Sequence, residues 1–176
     1  EAVKGPERFK NHGDKADAYV CFLGAEFIRH GKQQAGVNKV IDPTFPGFEK
    51  VGATFSFVEE WYTLKDFRPE IHVLTTFNDP ALEGDDYKRP AYPNCWAKPE
   101  GKGRVFYTAM GHREDVWTNE TFRQILVGGL KWANGDAVAP DLSPNLLKVA
   151  PGAMTNQPYT PSAPAKAAPK KAEAKK

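Results

Sequence analysis

The spacing of apolar residues changes period several times along the chain, and each change predicts an element. Tyr19, Phe22, Leu23 and Phe27 fall at i, i+3, i+4 and i+8, which predicts an amphipathic helix over residues 16–29. Residues 37–41 form a short strand candidate stopped by Asp42-Pro43. Residues 55–58 are a second apolar patch, running into Glu59-Glu60-Trp61-Tyr62. Residues 71–77 are β-branched and alternating, and end at Asn78-Asp79-Pro80, so they predict a strand. A polar loop over 80–92 follows. Residues 94–98 and 103–109 then flank Pro99-Glu100-Gly101-Lys102 as the two arms of a β-hairpin. Phe122, Ile125, Leu126, Gly129, Leu130 and Ala133 recur at helical spacing and predict a helix over 120–133. Thr118 or Asn119 serves as its N-cap, Glu120 lies in its first turn, and Asn134-Gly135 stops it.

This pattern divides the chain into a connection over 1–15, a folded domain over 16–135, and a Pro/Ala/Lys-rich tail over 136–176. The tail loses the apolar periodicity, and residues 151–176 cannot bury enough apolar surface to offset chain entropy, so disorder is expected there. Truncation after Asp136 is expected to leave stability nearly unchanged. Within the folded part the strands outnumber the helices available to cover them, which leaves one sheet face under-protected. Further strands N-terminal to residue 1 are therefore expected. The chain opens Glu-Ala-Val-Lys without a methionine, so either a leader has been removed or the sequence is a piece of a longer one. The first case places it in the periplasm or outside the cell, and otherwise it is cytoplasmic.

Charge and cysteines narrow the function classes. The formal charge is +2, but residues 163–176 carry five lysines and one glutamate, which leaves −2 on residues 1–162. A nucleic-acid-binding domain needs its basic groups on a folded face, so this distribution argues against that class. No apolar run is long enough to cross a bilayer. Cys21 and Cys95 have neither a disulfide framework nor metal-type spacing.

The candidate chemistry centres on residues 107–118. Gly111 and His112 follow the apolar run Val105-Phe106-Tyr107 and precede the last helix. A buried strand running into a glycine, a histidine and then a helix is how open α/β sheets place ligand sites beyond their strand ends. His112 is the first candidate for function, against a bland role in stiffening its loop through a backbone hydrogen bond. His30, at the predicted end of the first helix, is a candidate ligand or a helix C-cap. Glu60 precedes Trp61 and Tyr62, and a carboxylate beside two large aromatics suits a sugar, with the rings as pocket walls. Glu59 is read as the exposed member of the acidic pair. Two imidazoles and a carboxylate suit a divalent ion such as zinc, with His30 and His112 as its ligands beside Glu60. The same groups equally serve as acid, base and hydroxyl anchor without a metal. Cys95, beside Trp96 in a predicted strand, reads as a buried inert thiol.

The ordered motifs Gly24-Ala25-Glu26-Phe27-Ile28-Arg29-His30, Glu59-Glu60-Trp61-Tyr62, Trp96 with Gly101-Lys102-Gly103-Arg104-Val105-Phe106-Tyr107, Gly111-His112, and Gly128-Gly129-Leu130-Lys131-Trp132-Ala133 resemble the ThuA-like (trehalose utilisation) family. The resemblance runs from about residue 16 to 135 and covers the C-terminal portion of such a domain. It implies an α/β sandwich similar to class I glutamine amidotransferases and flavodoxin-like proteins, without the amidotransferase nucleophile. It also implies a place in the catabolism of trehalose and related sugars, with a small-molecule sugar as ligand. Phe45-Pro46 stands where the family commonly has His-Pro, so a packing role is expected there. The leading reading is a domain that binds a sugar or sugar derivative and acts on it through His112, Glu60 and His30, with Trp61 and Tyr62 forming a wall. The second is a non-catalytic module of the same fold that binds carbohydrate or protein. A third is a redox or hydrolytic enzyme using Cys95.

Overall fold

Gly24 ends the first helix after only six residues. In the computed structural model, which describes residues 12–154, α1 (Ala18–Leu23) is capped by Asp17, whose side chain accepts from the Tyr19 N–H at 2.8 Å. It closes on Gly24 at φ 101°, a left-handed conformation that glycine adopts without strain. A Cβ there would meet Trp96 Nε1 at 2.8 Å and Ile71 at 2.9 Å, so the close approach also requires glycine. The helix predicted over 16–29 is thus corrected at its second half. Those residues form β1 (Glu26–His30), which pairs antiparallel with β4 (Tyr62–Lys65), from Glu26↔Lys65 to His30↔Tyr62. Phe27 fits helical spacing by chance, and the ladder overrides it.

The remaining strands are β2 (Gln34–Val40), β3 (Thr54–Glu59), β5 (His72–Phe77), β6 (Tyr92–Glu100) and β7 (Gly103–Thr108). They build one five-stranded sheet in the order β3-β2-β5-β6-β7. Every pairing among the described residues is antiparallel. The parallel strands expected of a flavodoxin-like sandwich are absent from the described residues, because these strands are linked by hairpins and loops where parallel pairing needs long crossovers. What stands is a mixed sheet-and-helix fold. The β6–β7 hairpin has the predicted turn, with Glu100 opposite Gly103.

The helix α2 (Glu120–Asn134) follows its sequence signals closely. Asn119 is the N-cap and accepts from the Phe122 N–H at 3.0 Å, while Gly135 caps the far end at φ 86°. Phe122, Ile125 and Trp132 form its buried face, and Trp132 packs against Phe45, which is fully buried, at 5.3 Å between ring centroids. Phe45 has the packing role its apolar side chain implies. A second aromatic cluster joins the β3–β4 corner to the large sheet, with Trp61 stacked 4.5 Å from Phe77 and Phe77 edge-on to Tyr92 at 5.9 Å.

The segment after Gly135 departs from expectation. Residues 155–176, most of the expected disordered tail, lie outside the described residues. Residues 141–150, however, dock on the sheet. Leu146 in α3 (Leu146–Val149) is fully buried, and the Asn145 side chain accepts from the Val73 N–H at 2.7 Å and donates to the Val73 carbonyl at 3.2 Å. The Asn145 amide imitates a peptide group beside β5. His72 adds a second tie, contacting the Ser143 carbonyl through Nδ1 at 2.8 Å and Asp42 through Nε2 at 3.0 Å. Compositional bias hid this docking, because single residues rather than a periodic face carry it.

Candidate functional site

Between β3 and β4 the chain leaves the large sheet and enters the small one within two residues, Glu60 and Trp61. This corner gathers the predicted site. His30 is the last residue of β1 and sits opposite Tyr62 in register, so the β1–β4 ladder brings it here; it ends a strand, not a helix. His112 follows β7 in the loop leading to α2. One potential ligand atom from each of His30, Glu60 and His112 lies within 4.8 Å of the others, although the residues are far apart in sequence.

The contacts orient the three groups. His112 Nδ1 contacts Glu60 Oε2 directly. His30 Nδ1 lies 2.9 Å from the Gly31 carbonyl, and a carbonyl only accepts, so the proton is assigned to Nδ1. The same reasoning puts the His112 proton on Nδ1 against the carboxylate. With the proton on Nδ1, Nε2 is the ring nitrogen left to face a ligand. The rings lie 4.7 Å apart between centroids, and the Tyr62 ring stands edge-on to His112 at 5.5 Å. Gln33 Nε2 donates to Glu60 Oε1 at 3.3 Å, and its oxygen accepts from Arg113 Nη1. Arg113 makes a two-pronged pair with Asp115, at 2.8 Å for each prong.

Burial and charge act in opposite directions on Glu60. Desolvation pushes its carboxyl up, but hydrogen bonds from Gln33 and His112 and the charges of His30 and His112 outweigh it and hold it below its ordinary 4.5. Burial, followed by the negative charges of Glu59 and Glu60, raises the Tyr62 phenol.

Glu59 is fully buried, which overturns its reading as the exposed acid; Glu60 is the more open of the two. Glu59 Oε1 accepts from the N–H groups of Glu60 at 2.8 Å and Arg113 at 3.0 Å. Its Oε2 accepts from Gly111 at 2.8 Å and His112 at 3.1 Å. Gly111 at φ 96° turns the loop so that successive N–H groups converge, the geometry that ordinarily holds an anion. The signal was present in the sequence: Phe55, Phe57 and Glu59 share one side of β3 by the two-residue period of a strand.

Trp61 also needs correction. It is 1% exposed, its Nε1 donates to the Gln34 carbonyl at 2.9 Å, and it stacks on Phe57 and Phe77, so it supports the corner from within and does not form a pocket wall. Tyr62 alone of the two borders the site. Tyr87, within the loop expected over 80–92, was missed. Its hydroxyl accepts from the Gly31 N–H at 2.8 Å and donates to the Trp61 carbonyl at 2.7 Å, tying the end of β1 to the corner. Cys95 is fully buried, and desolvation pushes its thiol far above the ordinary range despite a hydrogen bond with Thr108, which removes the nucleophile reading.

A cleft of about 650 Å³ opens at this corner, lined by Gln33, Glu60, His112, Arg113, Glu114, Asp115 and Thr118; of the predicted site residues Glu60 and His112 line it, and His30 and Tyr62 do not. A larger cleft of about 840 Å³ lies between Pro46-Gly47 and α2. Among the described residues only the corner assembles a set of metal-ligating side chains, so the smaller cleft is the candidate site.

Residues 10–133 match the family model described as "Trehalose utilisation". None of the curated proteins compared with the chain matches it. A putative ThuA-like protein from Bacteroides uniformis superposes with a TM-score of 0.52 at 20% identity, covering 79% of this chain and 59% of that one. A putative ThuA-like protein from Parabacteroides merdae gives a TM-score of 0.46 at 20% identity, covering 68% of this chain and 44% of that one. The chain thus spans about three fifths of the length of the first of these.

Proposed function

The chain belongs to the trehalose-utilisation (ThuA) family, and from that premise we propose that its domain binds an uncharged sugar or sugar derivative at the His30–Glu60–His112 corner and acts on it in trehalose-type carbohydrate catabolism. The observation that carries this reading is the convergence of the three groups within 4.8 Å, with Glu60 and His112 lining an open cleft. The charge balance supports an uncharged ligand. Glu60, Glu114 and Asp115 line the cleft, Arg113 is engaged by Asp115, and the loop N–H groups that would take a phosphate already hold Glu59.

His30 and His112 would be the imidazole ligands for a divalent ion such as zinc, with Glu60 the carboxylate. Metal–ligand bonds of about 2.0–2.2 Å require the three ligand atoms to draw closer than the 4.8 Å that bounds them here. Such an ion supplies Lewis-acid polarisation of a ligand oxygen. Without one, the His112–Glu60 pair has the geometry of a base held by its orienting carboxylate, with Nε2 free to take a hydroxyl proton. Tyr62 offers a ring edge beside His112, and Gln33 offers an amide to ligand hydroxyls. The sandwich architecture of class I glutamine amidotransferases belongs to this proposal as the setting of the wider family domain; its support is the family resemblance.

Saturation-transfer NMR with trehalose as the probe tests the reading. Transfer to trehalose is expected from the unaltered protein and is expected to vanish in His112→Ala and Glu60→Gln. Equal transfer in all three proteins contradicts the assignment. Product resonances appearing over time mark an enzyme, whereas binding without turnover favours the non-catalytic module, whose histidines serve recognition alone.

A further inference from the structure

The Glu59 carboxylate is buried beneath the cleft and is not used by any of the chemistry above. It joins two segments with no sequence connection. Through Oε1 it fixes the peptide N–H of Glu60 at 2.8 Å, and through both oxygens it fixes the consecutive N–H groups of Gly111, His112 and Arg113 at 2.8, 3.1 and 3.0 Å. The two residues whose side chains meet at the cleft, Glu60 and His112, are therefore hung by their own backbones from one carboxylate. Glu59 is itself set by the sheet, because it ends β3 and pairs with Gln34 of β2. Its exposure is zero, so water does not compete for its four hydrogen bonds.

We propose that Glu59 is the positioning residue of this site, the internal anion that fills the Gly111–Arg113 turn and thereby holds His112 against Glu60. The proposal rests on His30, Glu60 and His112 being the site. A carboxylate suits this place because both oxygens accept. An amide of the same size accepts through one oxygen only and turns its NH2 group toward two N–H donors, leaving them unpaired. Partners that orient metal-ligating side chains typically change metal affinity by about 10–100-fold when lost. Glu59 acts through the backbone, yet the lever on His112 is the same.

The experiment uses the full chain with Glu59→Gln, Glu59→Asp and, as a control for general destabilisation away from the cleft, Asn145→Ala. Two quantities are read: amide hydrogen exchange residue by residue, and zinc affinity by calorimetry. In Glu59→Gln, protection is expected to fall at Glu60 and at Gly111–Arg113 while persisting in β5 and β6. Zinc affinity is expected to fall by about 10–100-fold, with the control staying within about twofold of the unaltered protein. Glu59→Asp keeps the charge but shortens the reach, and is expected to lie between; it carries the test if the Gln variant does not fold. The proposal is overturned if exchange at 111–113 is unchanged in both Glu59 variants, or if the control loses as much zinc affinity as they do. If the unaltered protein takes up no zinc, the metal reading fails on its own, and the exchange pattern still decides the role of Glu59.

Discussion

Asn145→Ala is the perturbation that most sharply separates the observed fold from a domain ending at Gly135. Val73 is fully buried, and its N–H and carbonyl are bonded by the Asn145 side chain at 2.7 and 3.2 Å. Removing the amide leaves a buried donor and a buried acceptor unpaired. Each such group costs about 1–3 kcal/mol, the carbonyl toward the lower end because it has two lone pairs. The sum is about 2–4 kcal/mol. For a chain of this size 1 kcal/mol shifts Tm by roughly 2–4 °C, so a drop of about 4–16 °C is expected in a calorimetric or circular-dichroism melt. Asn145→Asp keeps the acceptor for Val73 N–H but loses the donor, and sets a carboxylate against the Val73 carbonyl, so it does not rescue. Leu146→Ala, at a fully buried position, is expected to cost about 2–5 kcal/mol independently. Truncation after Asp136 then destabilises strongly instead of being neutral. A truncated chain and an Asn145→Ala variant that both melt within about 2 °C of the unaltered protein refute the docking.

Two further outcomes follow from the same contacts. Burial raises the Asp42 carboxyl, but hydrogen bonds from Thr44 and the His72 contact outweigh it and hold it below its ordinary 3.8; its contribution is therefore fully present above the unfolded pKa and is lost as pH falls through the lower folded value. Urea unfolding across pH 2–5 is expected to show a stability loss below about pH 4 that is smaller in Asp42→Asn, and an unchanged profile in that variant contradicts this. Cys95, fully buried with its thiol pushed up, is expected to resist a thiol reagent in the native protein while Cys21, only partly buried, reacts; native labelling of Cys95 at the Cys21 rate contradicts its placement.

The helix α2 and the β6–β7 hairpin were legible in the sequence because local signals agree with tertiary context there: a cap, a periodic face, a glycine stop. The residues from 24 to 30 were not, since helical spacing of four aromatic and aliphatic positions competed with a strand pairing that only Tyr62–Lys65 specifies. His30, Glu60 and His112 were legible as residue types with chemistry, whereas their meeting depends on a sheet change at Glu60-Trp61 that periodicity does not report. Reading Trp61 beside Tyr62 as a second wall overlooked that successive residues of an extended chain face opposite ways. Glu59 was hidden by its charge, because acids are rarely buried without partners and three of its four backbone N–H partners lie 52 to 54 residues away. Gln33 and Asn145 carry no sequence signal, as a single polar side chain in a loop looks the same whether solvated or bonded.

Crystals of the full chain soaked in zinc, with anomalous difference density recorded at the zinc absorption edge, decide whether the corner takes a metal. A peak is expected at the β3–β4 corner, about 2.0–2.2 Å from one nitrogen each of His30 and His112 and from a Glu60 oxygen, absent in His112→Ala crystals. Zinc density that avoids this corner, or a peak there that persists without the His112 imidazole, contradicts the metal reading.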